Sequence, residues 1–399
     1  MPLLNKTASS TPRPLNTALA LAIIPLSGFA TDIYIPSLPD MADKLHVPSS
    51  QIQATLTIFL LSYGITQLFI GSLLDSFGRY LPNLAALFLF IVATFVIVNT
   101  QNILVIYLMR VVHGISISVI TICKRSYFTD VYKGDKLKHY ISLFSIIWST
   151  APILAPFLGG YLQTRFGWSA NFYFLGLLGS VFLVLELLIG RETLITPERF
   201  QIGAVVKSYR TMLGTMDFCS GLTILGLGYA ALIIFGMASP FLIEKVLHYS
   251  SQVTGNLALV SGVAVLIGGV ISKSLLHKPF LQKLILAAAL MIAATIAVGL
   301  YTLHSESLYT LLAFVVLVHT AAAFIFNNIF SYCLLRFPAY SGKAAGLTGG
   351  GFYIVASFAG TLLINILEIR TQFFLGIGYL ILALASIFLL LYTKWRKDY

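Results

Sequence analysis

The chain has 399 residues, of which 58% are hydrophobic and 10% charged, with a formal net charge of +11. A soluble domain carries roughly 25% charged residues, so a water-facing surface of this size is excluded and lipid is the solvent for most of the chain. No Walker loop, dinucleotide fingerprint, zinc spacing or nucleophile elbow occurs in it, which excludes ATP hydrolysis as an energy source and leaves no cluster for a membrane-embedded enzyme.

Twelve apolar runs of about 18 to 25 residues can be marked, each long enough to cross a ~30 Å hydrocarbon core. Backbone in lipid must bond to itself, which predicts helices and an all-α membrane protein. The runs cover 17–38, 50–71, 82–99, 102–123, 140–163, 169–190, 217–243, 253–272, 281–303, 307–335, 342–366 and 372–393. A tail (1–16) precedes a first group of six (17–190). A polar, basic linker (191–216), a second group of six (217–393) and a short tail (394–399) follow. The first run is not a cleaved signal, because it continues through Asp32–Pro39 without a small-residue cleavage site and eleven runs follow it. With the N-terminus inside, 20 of the 25 Lys and Arg fall in inner loops and tails, 4 fall outside, and Arg110 lies within a run. That asymmetry predicts two cytoplasmic termini and attraction to anionic lipid, and it removes the nucleic-acid reading of the net charge.

Each charge inside a run needs a reason, since it costs roughly 2.5–3.5 kcal/mol at the bilayer centre. In the first run Asp32 lies about 22 Å from the inner face, with Tyr34 beside it and Pro25, Pro36 and Pro39 interrupting helical bonding. The second run carries Phe59 and Tyr63 and ends in the turn Gly71–Asn83, where Asp75 and Arg79 are spaced i, i+4 and Gly71 and Gly78 permit close backbone approach. That turn is either a solvated hairpin or a latch whose charges favour one of two states. Arg110 lies about 12 Å from the outer end of the fourth run, a depth matching that of Asp32, with His113 one turn on. Two readings stay open: proton exchange at Asp32 beside a fixed cation with His113 in the relay, or a structural Asp–Arg clamp. The fifth run carries Trp148, Pro152, Pro156, Gly159 and Gly160, which bend and thin the helix. Glu186 near the inner end of the sixth run either snorkels to the interface or forms a second proton or cation site. In the second half Tyr229, Phe235, Phe326 and Asn327 are candidate cavity residues. His319 is either a packed, hydrogen-bonded residue or a ligand contact, and Gly346 and Gly349–Gly351 give a smooth helix face. The three cysteines, Cys123, Cys219 and Cys333, lack metal-ligand spacing.

Several of these stretches resemble one family. Gly71–Leu84 looks like the loop between helices two and three of the major facilitator superfamily. Pro25–Ala42 is similar to the first-helix motif of its 12-span drug:proton antiporters, and Gln53–Arg79 to the second helix of the Bcr/CflA subfamily. Arg110–Ser116 and Ala151–Leu162 resemble the motifs of helices four and five, with His113 in the place of the usual Gln. The resemblance implies two pseudo-symmetric six-helix bundles and a bacterial inner-membrane monomer without cofactor. It further implies alternating access driven by a proton gradient, with export of small amphipathic or drug-like compounds. Alternatives are a dedicated exporter of a self-made metabolite such as a siderophore or peptide-like product, and a proton-coupled importer. A receptor is disfavoured because no loop is long enough for an output domain.

Overall fold

The computed structural model describes residues 11–197 and 200–395, so Met1–Ser10 and Arg396–Tyr399 of the expected tails, and Glu198 and Arg199 of the linker, lie outside it. Twelve helices among the described residues are long and apolar enough to cross a membrane, and no strand occurs among them. The first span is broken into α1 (Pro14–Ile23), α2 (Leu26–Asp32) and α3 (Leu38–Leu45). Pro25 removes a donor at the first break, and a 3₁₀ turn holding Pro36 makes the second. Spans two to six are α4 (Ser49–Phe77), α5 (Tyr80–Val98), α6 (Ile103–Val131), α7 (Gly134–Phe166) and α8 (Ser169–Ile189). After α9 (Ile202–Leu213) come α10 (Met216–Phe241), α11 (Ser251–Ser274), α12 (Phe280–Thr302), α13 (Leu308–Phe314), α14 (Thr320–Leu335), α15 (Ser341–Leu367) and α16 (Gln372–Tyr392). A π-helical turn, Val315–His319, joins α13 to α14 within one span.

Two of the stretches left between the expected runs contain helix. The basic stretch 124–139 is helical except at Tyr132 and Lys133, because α6 runs on to Val131 and α7 starts at Gly134. Residues 191–216 contain a helix, α9, whose Val205, Tyr209 and Met212 recur at i, i+4 and i+7 and form its buried stripe.

Helices α4, α5, α6 and α8 pack together and α2 packs on α7, whereas α10, α14, α15 and α16 form the matching group with α11 on α14 and α12 on α16. The halves meet along two seams, α4 against α15 and α7 against α11. Small residues allow the close approach. Gly159 admits α7 to the first span, where a Cβ would stand 1.7 Å from the Ile33 carbonyl oxygen, and its neighbour Gly160 faces the other half, 2.6 Å from the Ser251 carbonyl oxygen. The end of the molecule that carries α9 is called the linker end below, and the opposite one the far end.

Candidate functional site

The second break in the first span is where the site begins. Asp32 is the last residue of α2. It is half-buried, and its carboxylate has no hydrogen-bond or ion partner among the described residues. Arg110 of α6 is fully buried beside it but does not form an ion pair with it, so the clamp reading is corrected. The Arg110 guanidinium instead lies between the rings of Tyr34 and Phe59, 4.4 Å from each centroid. Its Nη1 donates to the Ala30 carbonyl at 3.2 Å, a group that the break in the helix leaves free, and its Nε donates to the Thr55 carbonyl at 3.4 Å. The Tyr34 hydroxyl is 3.0 Å from Thr55 Oγ1, which closes this cage around the cation.

His113 is also buried. Arg110 can only donate, so His113 Nδ1 accepts from its Nη1 at 3.3 Å, and Nε2–H then donates to Thr94 Oγ1 at 2.9 Å. The Thr94 hydroxyl donates in turn to the Phe90 carbonyl at 2.7 Å. Both ring nitrogens are thus engaged in holding Arg110 and α5, and neither reaches Asp32.

A chain of rings leads from this cage into the other half. Phe59 stacks on Tyr63 at 6.1 Å, Tyr63 meets Tyr353 edge-on at 4.9 Å, and Tyr353 meets Tyr229 at 5.1 Å. Phe352 contacts Tyr229 and Phe326, each at 5.2 Å, and Phe326 stacks on Phe330 at 5.6 Å. Tyr353 and Phe352 escaped the sequence reading: the glycine run 349–351 was read as a packing face, and the aromatic pair directly after it is the signal that marks them. Three expected cavity residues stand outside this chain of rings. Trp148 is half-buried and packs against a cluster of Ala20, Ile24, Tyr127 and Phe144 that joins the first span, α6 and α7. Phe235 is set edge-on to His319 at 5.1 Å. Asn327 is exposed and donates to its own helix at the Ala323 carbonyl. His319 takes the packed reading, with Nδ1 2.7 Å from Ser261 Oγ and Nε2 3.0 Å from the Tyr379 hydroxyl.

At the linker end Asp75 and Arg79 pair at 2.7 Å, and the set is larger than the sequence indicated. Arg79 Nε also reaches Asp130 at 3.2 Å, and Thr193 Oγ1 donates to the same carboxylate. Burial pushes the Arg79 guanidinium down, but its bonds to Asp130 and Asp75 more than offset this and hold it above its ordinary value. Gly78 turns the chain with φ +90. Glu192 accepts from the backbone N–H groups of Arg79 and Tyr80, so a carboxylate sits at the start of α5, where the helix dipole favours it. Gly71 makes no close approach: a Cβ there would have nothing within 4 Å. Glu186 does not snorkel. It is buried and paired with Lys124, a partner that charge spacing alone does not reveal because it lies 62 residues away. In the second half Asp217 accepts from the Tyr332 hydroxyl at 2.7 Å and from Arg336 at 3.0 Å.

Residues 20–361 match the model of the Major Facilitator Superfamily. Multidrug resistance protein D of Escherichia coli (strain K12) is 28% identical over 353 residues, covering 85% of this chain and 86% of that one. The bicyclomycin resistance protein homolog of Haemophilus influenzae is 30% identical over 168 residues, 42% of each chain. Among solved structures, a D-xylose-proton symporter superposes with a TM-score of 0.70 over 93% of this chain and 96% of that one, at 16% identity.

Proposed function

The chain belongs to the Major Facilitator Superfamily, and from that premise we propose that it exports small amphipathic, drug-like compounds in exchange for protons. It is a transporter and not an enzyme. The names of its drug-resistance relatives support the cargo class. One observation carries the coupling: a half-buried carboxylate, Asp32, stands without a partner among the described residues at a helix break, two residues before the Tyr34 ring that helps to cage Arg110. An ionised acid there is stabilised by the field of Arg110, and a protonated one needs no partner at all, so the site can change hands between proton and cargo. Arg110 is held by carbonyls and rings whether or not Asp32 is charged.

In this reading the halves 17–190 and 217–393 rock about the rings, exposing Asp32 first to one side and then to the other. The linker end, where α1 begins and α16 ends, faces the cytoplasm of a bacterium, and the protein works as a monomer in the inner membrane without a cofactor. Protons entering from outside neutralise Asp32 and release cargo outward. Each charge moved gains ~2.3 kcal/mol per 100 mV of membrane potential.

Everted membrane vesicles test this. Wild-type protein is expected to accumulate a lipophilic fluorescent compound when a pH gradient is imposed and to dissipate that gradient in doing so. Asp32→Asn is expected to lose the gradient-driven part while still binding the compound. Unaltered, pH-dependent accumulation by Asp32→Asn removes the coupling site, and net uptake into whole cells reverses the direction.

A further inference from the structure

The seam between α4 and α15 is closed along half its length and open along the rest. From the far end inward, Thr57 Oγ1 of α4 lies 2.7 Å from Thr361 Oγ1 of α15, while Gln53 Nε2 ties α4 to α10, donating to the Met237 carbonyl at 2.8 Å. At mid-length the two backbones touch: a Cβ on Gly64 would stand 2.7 Å from the Gly350 carbonyl oxygen, and one on Gly350 2.4 Å from that of Gly64. One turn further on they still touch, a Cβ on Gly346 lying 3.5 Å from the Gln67 carbonyl oxygen, and past this point the helices part. Neither Gly71 of α4 nor Gly342 of α15 has anything within 4 Å of where a Cβ would be. Their diverging ends and α9 border an open cleft of about 380 Å³ lined by Ser72, Asp75, Gln201 and Lys343.

At the apex of this V stands one side chain. Tyr209 of α9 is buried, and its hydroxyl donates to the Leu68 carbonyl of α4 at 2.6 Å. On the other side a Cβ on Gly346 of α15 would lie 3.1 Å from the Tyr209 hydroxyl oxygen. Burial pushes the Tyr209 hydroxyl up to about 12, so it remains a donor at any working pH. Lys343 of α15 anchors the start of α9 through the Ala204 carbonyl at 3.4 Å and Ser208 Oγ at 3.1 Å. The helix is therefore tied to both halves, with its aromatic ring in the space that they must share to close.

We propose that Tyr209 is a positioning residue that wedges the linker end open: α4 and α15 pivot at Gly64–Gly350, and the linker end closes only after α9 withdraws Tyr209 from Leu68. Small residues on both helices below the pivot then have a use, because they give a smooth pair of faces once the ring has left. The device acts on the access equilibrium and not on cargo recognition, so it rests on alternating access alone and not on drug or proton as the ligands.

The test is a pair of distances in the full-length, detergent-purified protein without cargo. Spin labels at Thr129→Cys and Lys273→Cys report the linker end, and labels at Gln101→Cys and Ser305→Cys report the far end, with Cys219→Ser to silence the exposed thiol. In the parent, the linker-end distance is long and the far-end distance short. Tyr209→Phe, which removes one hydrogen bond, is expected to raise the population with a closed linker end about twofold to tenfold. Tyr209→Ala, which removes the ring as well, is expected to raise it further. Lys343→Ala, which leaves the ring intact, is expected to act in the same direction but less. Thermal stability separates unfolding from release, and if Tyr209→Ala does not fold, the Tyr209→Phe and Lys343→Ala pair decides. Distance distributions unchanged in the folded variants overturn the wedge. So does a shift toward a more open linker end.

Discussion

The two ends of the molecule are held by different kinds of bond. At the far end the ties run between the halves: Lys245 pairs with Asp43, Gln53 reaches the Met237 carbonyl, and Gly160 lies against Ser251. At the linker end the ion pairs described above stay within a half. Lys124–Glu186 and the Arg79 set belong to the first, and Asp217–Arg336 to the second. What crosses there is α9, through Tyr209 and Lys343. The far-end ties are exposed, neutral or short-range, and so are cheap to break. Those of the linker end are charged and mostly buried, Asp75 excepted, and stiffen each half as a body. A transporter that rocks needs both: rigid halves and a weak seam.

Three substitutions test this contrast, the strongest first. Glu186→Gln leaves Lys124 buried without its counter-charge, which is expected to destabilise the first half by roughly 3–5 kcal/mol, read as a lower melting temperature of purified protein. Replacing both partners, Glu186→Gln with Lys124→Met, is expected to recover most of that loss. If the single change leaves melting unaltered, the linker-end pair is no stiffener. Gly159→Ala sets a methyl group against the Ile33 carbonyl within one half, at an expected cost of roughly 1–3 kcal/mol and again with lower melting. Lys245→Ala removes an exposed pair whose side chains are 51% and 59% accessible, so stability is expected to change by about 0–1 kcal/mol. Its effect should appear in far-end distances, and raising the salt concentration should mimic it in wild type but not in the variant. A large melting shift from Lys245→Ala would erase the distinction between the ends.

Much of the fold could be read from the sequence. Hydropathy alone located twelve spans, because lipid demands a long apolar run for each crossing, and the prolines of the first span marked its breaks. The turn at Gly78 and the Asp75–Arg79 pair were legible because they are local. The polar helix α9 was not, since charges at Lys207 and Arg210 hid a stripe only three residues deep. Partnerships set by tertiary packing were also hidden. Nothing near Glu186 in the sequence points to Lys124, and nothing near Arg110 shows that its charge is absorbed by Tyr34, Phe59 and the Ala30 carbonyl and not by Asp32. Depth arithmetic placed Asp32 and Arg110 at one level, but level is not contact. The ring pair Phe352–Tyr353 was missed because the glycines before it had already been given a purpose.

The adjacent glycines of α7 have a practical consequence. Residue 159 looks inward to its own bundle and residue 160 looks across to the neighbouring one, so a single peptide unit separates packing within a half from packing between halves. Graded bulk at residue 160 alone (Ala, then Val) meets the backbone of α11 and is therefore expected to spread the halves stepwise, read as lengthening far-end distances.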